Sequence, residues 1–135
     1  MNLPSSPPPD PNLALVVFSD RTAIRWMRLL PRGFRHCAVI LPQPCGWLFI
    51  DSLANRVALA PLDADGLATL LHRLVARGDR VLAVRRPDRA PRRKRRMLPF
   101  TCVELTIRLL GLTSLYVLTP YDLFRKLSSF LRLKG

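Results

Sequence analysis

Two rhythms of apolar residues run along the chain. Continuous or alternating runs of strand length occur in "NLALVVF" (12–18), "HCAVIL" (36–41), "GWLFIDSL" (46–53), "RVALAPL" (56–62), "RVLAVRR" (80–86) and "SLYVL" (114–118). Helical spacing occurs in "TAIRWMRLL" (22–30), in "DADGLATLLHRLVARG" (63–78) with an acidic start and Gly78 as stop, and in "FTCVELTIRLLGL" (100–112). A last helix follows Pro120, where Thr119 and Asp122 form a capping box around a first-turn proline. The order β-α-β-β-β-α-β-α-β-α, with antiparallel neighbours in the middle, predicts an α+β fold in which a small antiparallel sheet packs against helices. No internal repeat interrupts it.

Cys102 opens one of these helices. At about 100° per residue, Glu104 and Arg108 share one flank, in the favourable acid-before-base order. Cys102, Leu105, Thr106, Leu109 and Leu110 share the opposite, apolar side. Pro99 bars a helix from running back, Thr101 is placed to cap, and Gly111 is a natural stop. An inward cysteine in a first turn has two readings: a small core residue, or a thiolate favoured by the positive end of the helix.

Composition narrows the classes. The 49% hydrophobic content across 135 residues suits a globular domain with one core. Residues 1–11, rich in proline and without an apolar stretch, read as a flexible lead-in and not a signal peptide; residues 12–135 read as a single domain. No apolar run is long enough to cross a bilayer, so a soluble chain is expected, cytoplasmic or virion-associated. Three cysteines (Cys37, Cys45, Cys102) without CxxC spacing argue against a disulfide framework or a zinc site and fit a reducing compartment. No Gly-rich phosphate loop, HExxH or GxSxG is present, and neither metal nor organic cofactor is implied.

Charge adds a second candidate. Lys and Arg number 22 against 9 acids, a net charge of +13. "RRPDRAPRRKRR" (85–96) holds eight basic residues and one acid, and its prolines make it a solvated loop. Arg92, Arg93, Lys94, Arg95 and Arg96 either hold an anion, such as nucleic acid or an anionic membrane surface, or solubilise the surface. Aromatic residues do not interleave with them, against a single-strand platform. The basic last helix offers a further route to a membrane surface.

A cysteine nucleophile needs a base, and the base an orienting partner. His72 lies mid-helix beside Arg73 and reads as an ordinary surface histidine. His36 opens a strand. With "PQPC" as a four-residue hairpin loop, Leu41 faces Gly46 and His36 faces Asp51; a slip of one would bring Ile50 or Ser52 there instead. Asp51 either caps a turn or accepts the imidazole N–H and fixes its tautomer. Cys37 points to the other face of the sheet as core packing, and Cys45 sits in a Pro-flanked loop without assigned chemistry.

A histidine opening a strand, a polar residue on the next, and a cysteine beginning a later helix resembles the circularly permuted branch of the NlpC-type, papain-like cysteine peptidases. Lecithin–retinol acyltransferase-like enzymes share this order. "FRHCAVI", "GWLFIDSL" and "FTCVELTIRLLGL" match in sequence order, and "LTPYDLFRKL" resembles the segment after the cysteine helix in short phage-associated members. The resemblance covers residues 12–130. It implies a thiol hydrolase acting on an amide or ester bond, of a peptide, peptidoglycan or lipid-like acyl substrate. Cys102 would be nucleophile, His36 general base and Asp51 the third polar residue. Many relatives carry another residue in the third position, and the long Arg-rich loop is a departure from the pattern. It would either select an anionic substrate or mark a non-catalytic nucleic-acid-binding or phage structural protein on the same fold.

Overall fold

The computed structural model describes residues 9–20, 33–53, 56–88, 102–112 and 119–133. Its elements are β1 (Leu13–Ser19), β2 (His36–Gln43), β3 (Gly46–Leu53), β4 (Arg56–Leu62), α1 (Ala64–Ala76), β5 (Arg80–Arg85), α2 (Cys102–Leu110) and α3 (Pro120–Leu133). Among the described residues the fold is α+β, a five-stranded antiparallel sheet in the order β4-β3-β2-β1-β5 with three helices. The expected helix over 22–30, the strand over 114–118 and the cap at Thr101 lie outside the described residues.

The sheet is apolar on both faces because helices cover both. Alternation turns Ala14, Val16 and Phe18 of β1, with Cys37, Val39 and Leu41 of β2, toward Val103, Ile107 and Leu110 of α2 and Leu123 and Leu127 of α3. Val17, Ala38 and Ile40 face the other way, against Leu67, Leu70, Leu71 and Leu74 of α1. This explains why β1 and β2 read as unbroken hydrophobic runs. α1 carries the chain from edge strand β4 to the opposite edge, β5. There Arg80 lies over the rings of Phe34 and Phe124, at 5.3 and 5.6 Å from their centroids.

The ends of the helices follow their local chemistry. Asp63 caps α1 by accepting the Gly66 N–H at 2.6 Å. Thr119 and Asp122 make the reciprocal capping bonds at the start of α3, at 3.3 and 3.2 Å. Glu104 and Arg108 pair at 3.0 Å as their spacing requires. The flank they share is solvated only at Arg108, since Glu104 is only 2% exposed. α2 packs on the sheet and against α3, which leaves only a narrow strip of it open.

Two sequence expectations are corrected. The β2–β3 loop is two residues, Pro44 and Cys45, not four, because the ladder continues through Pro42↔Trp47 and Gln43↔Gly46. Proline is tolerated there because the ladder with β1 reaches only Ile40. Gly46 is required at the turn, since it has φ +145 and a Cβ would stand 2.5 Å from the Leu62 carbonyl oxygen. Asp51 therefore lies directly across from Ala38 and not from His36. The second correction concerns the basic run. Its first residue, Arg85, belongs to β5, and Arg86 donates to the carbonyl oxygens of Asn12 (backbone, 2.7 Å) and Pro11 (side chain, 2.8 Å). Arg85 also pairs with Asp10 at 3.5 Å. This part is tied to the segment entering β1, while Arg92, Arg93, Lys94, Arg95 and Arg96 lie outside the described residues.

Candidate active site

The shifted register leaves the expected pair intact. A displacement of two residues preserves strand parity, so Asp51 stays on the face of His36 as its diagonal neighbour, within reach of a long side chain. His36 Nε2 lies 2.5 Å from Asp51 Oδ1, with both side chains largely buried. That contact occupies one ring nitrogen and leaves Nδ1 for a second partner.

Besides Asp51, the group that acts on the ring is Cys102. It sits at the first position of α2, is 6% exposed, and lies in the buried cluster with Cys37, where both Cys37 and His36 act on its thiol. Alternation sends Cys37 and His36 to opposite faces of the sheet. Cys102 engages both because it meets β2 at its first two residues, where the strand begins. Thr106, one turn further along α2, donates to the Cys102 carbonyl at 2.8 Å and lies 3.5 Å from Cys37 Sγ.

These contacts polarise the site. The hydrogen bond from Cys37 and that from His36 bring the Cys102 thiol down from 9.0 to about 5, against the opposing effect of burial. Burial disfavours the charged imidazole of His36, but hydrogen bonds to Asp51 and Cys102 outweigh it and raise the group from 6.5 to about 9. Burial pushes the neighbouring Cys37 thiol well above 9.0. Near neutral pH the arrangement is a thiolate–imidazolium pair with a protonated thiol beside it, suited to nucleophilic attack followed by proton delivery.

Cys102, His36 and Asp51 are thus brought together. Cys37 packs in the core, as its alternation implied, but it also touches Cys102, which the sequence reading missed. The signals were present: an inward strand position adjoining His36, and Thr106 at i+4 from Cys102. Ser52 is also buried here in β3, and its hydroxyl has no hydrogen-bond partner among the described residues. His72 is on the exposed side of α1. Cys45 is exposed at the other end of β2, bordering an open cavity of about 440 Å³ shared with Trp47, Pro61 and Asp63.

Among the described residues, no cluster of three or more His, Cys, Asp or Glu is arranged to hold a metal ion. No helix among them is long and apolar enough to cross a membrane. Compared with known proteins, the chain matches no family model, no curated protein and no solved structure.

Proposed function

We propose that the protein is a thiol hydrolase that cleaves an amide or ester bond through Cys102, His36 and Asp51, on a permuted NlpC-type, papain-like arrangement. The observation that carries this reading is the imidazole of His36, held by Asp51 at 2.5 Å and interacting with the buried Cys102 thiol at a helix start. The chain order of the three, a histidine opening a strand, an acid on the next strand and a cysteine on a later helix, is the order of that superfamily.

In the proposed cycle the Cys102 thiolate attacks the carbonyl carbon. The developing oxyanion is stabilised by backbone N–H groups of the first turn of α2, which have no partner within the helix. The His36 imidazolium protonates the leaving amine or alkoxide. The neutral imidazole then takes a proton from water, which hydrolyses the thioacyl intermediate and restores the ion pair. Asp51 holds the ring through Nε2 and favours its charged form. The substrate is a peptide, including a peptidoglycan peptide, or a lipid-like acyl group.

The test uses the three cysteines against one another. Iodoacetamide near neutral pH is expected to label the buried Cys102 faster than the exposed Cys45, and His36→Ala to abolish that advantage. Labelling of Cys102 no faster than Cys45, unchanged in His36→Ala, would sink the hydrolase reading.

A further inference from the structure

We propose that Cys37 is a resolving thiol for Cys102, so that a peroxide converts the pair into an intramolecular disulfide that switches the nucleophile off reversibly. The inference rests on the same thiol–imidazole pair as the hydrolase reading, but not on cleavage of any substrate bond.

The geometry is that of a built pair. Both sulfurs belong to one buried cluster, between the first residues of β2 and the first turn of α2. Thr106 Oγ1 lies 3.5 Å from Cys37 Sγ and donates to the Cys102 carbonyl at 2.8 Å, so one hydroxyl ties the two cysteine positions together. Cys37 also adjoins His36 in sequence, so one strand end presents a base and a second thiol to the same sulfur. The two thiols are unequal. Cys102 carries the negative charge, while burial keeps Cys37 protonated and unreactive until its neighbour is oxidised.

The chemistry balances with hydrogen peroxide as oxidant. The Cys102 thiolate attacks one peroxide oxygen and the O–O bond breaks. The departing hydroxide takes the His36 proton and leaves as water, giving sulfenic acid at Cys102 and a neutral imidazole. Cys37 then attacks the Cys102 sulfur, and its thiol proton passes to the hydroxyl leaving group. The S–O bond breaks, the S–S bond forms, and a second water departs. Sulfur is oxidised by two electrons and the peroxide is reduced by two. Cys45, at the opposite end of β2, takes no part and serves as an internal control.

The experiment treats the reduced full chain with stoichiometric hydrogen peroxide and maps its peptides by mass spectrometry. The expected product is a linked Cys37–Cys102 peptide pair, lighter by two hydrogens, with Cys45 still free. Dithiothreitol should then restore iodoacetamide labelling of Cys102 completely. In Cys37→Ser and Cys37→Ala, dimedone should trap sulfenic acid at Cys102, and further peroxide should drive it to sulfinic acid that dithiothreitol does not reverse. Using both variants guards against one that misfolds. Sulfinic acid at Cys102 of the unmodified chain without a linked peptide would overturn the inference, as would full recovery by dithiothreitol in both variants. A chain that forms the disulfide but hydrolyses no amide or ester keeps this inference and loses the hydrolase. One that hydrolyses but over-oxidises loses this inference alone.

Discussion

Helices α1 and α2 close with the same device. Gly78 and Gly111, with φ of +85 and +69, follow the last turn, and paired bonds run back from Asp79 to Leu74 and from Leu112 to Ile107. They begin differently. α1 starts after Asp63, whose carboxylate satisfies a free N–H of the first turn from an exposed position. α2 starts on Cys102, a buried thiol facing an imidazole. The positive end of a helix thus meets a negative side chain in both cases, once at the surface and once in the interior. At the surface the meeting caps a helix. In the interior, with water excluded and His36 alongside, it sustains a thiolate. The difference lies less in the helix ends than in what packs on them, since Leu74 is the buried residue of α1 while most of α2 is covered.

The most forceful way to break the comparison is to titrate it. Cys102 alkylation should rise through about pH 5 and remain level, because the thiol is already ionised there. At pH 6 its rate should exceed that of an ordinary thiol by roughly 10³-fold, the ratio of thiolate fractions for groups at about 5 and 9.0. Hydrolysis needs the imidazolium as well, so it should rise through about 5 and fall through about 9. Asp51→Asn removes the carboxylate that favours the charged ring, and the alkaline limb should retreat from about 9 toward the ordinary 6.5. An alkaline limb that stayed in place would deny Asp51 this role. Stability has its own sign. Cys102 is held below its unfolded value and His36 above its own. Between about pH 5 and 6.5 the unfolded chain therefore binds one more proton, and stability declines as pH falls through that window. Denaturant midpoints of the unmodified chain and of Cys102→Ser should diverge there; parallel curves would mean that the ion pair is not formed.

The next contrast is one of packing. Ile107 of α2 is fully buried between sheet and α3, whereas Leu74 of α1 is 4% exposed in the smaller cluster. Both truncations fall within the range of about 2–5 kcal/mol for losing a buried aliphatic side chain. Ile107→Ala is expected toward the upper end and Leu74→Ala toward the lower, by urea denaturation. The more telling readout is Cys102 labelling, which Ile107→Ala should slow by loosening α2 on β2 while Leu74→Ala leaves it unchanged. Equal effects on labelling would mean that α1 supports the site as much as α2 does.

Much of this was legible from residue order, for physical reasons that differ between residues. Helix ends are local, so Gly78, Gly111, Asp63 and the Thr119–Asp122 box declare themselves within a few positions. Strand alternation is also local, and it turns Cys37 inward and keeps His36 and Asp51 on one face. Register is not local. The ladder runs on to Gln43↔Gly46, where Gly46 lies against the Leu62 carbonyl of β4, a neighbour that the hairpin itself does not reveal. The site survived the error because the slip was even. Burial of Glu104 and the touching of Cys37 and Cys102 depend on how α2 lies across the sheet. No periodicity within one segment contains that information.

The smallest effect is the sharpest control, because it isolates the surface half of the comparison. Asp63→Ala removes the oxygen that accepts the Gly66 N–H at 2.6 Å and returns that donor to solvent. Losses of such caps amount to about 1 kcal/mol, and the exposure of Asp63 places this one within the ordinary range. Asp63→Asn should recover most of it, because an amide oxygen caps nearly as well as a carboxylate. Neither change should alter Cys102 labelling or its pH midpoint, since α1 packs on the opposite face of the sheet from α2. The expected result is thus a modest fall in the urea midpoint for Asp63→Ala, recovery in Asp63→Asn, and an unmoved thiol. If the thiol titration shifted with Asp63→Ala, the two helix starts would be coupled through the sheet, and treating one as structural and the other as chemical would fail.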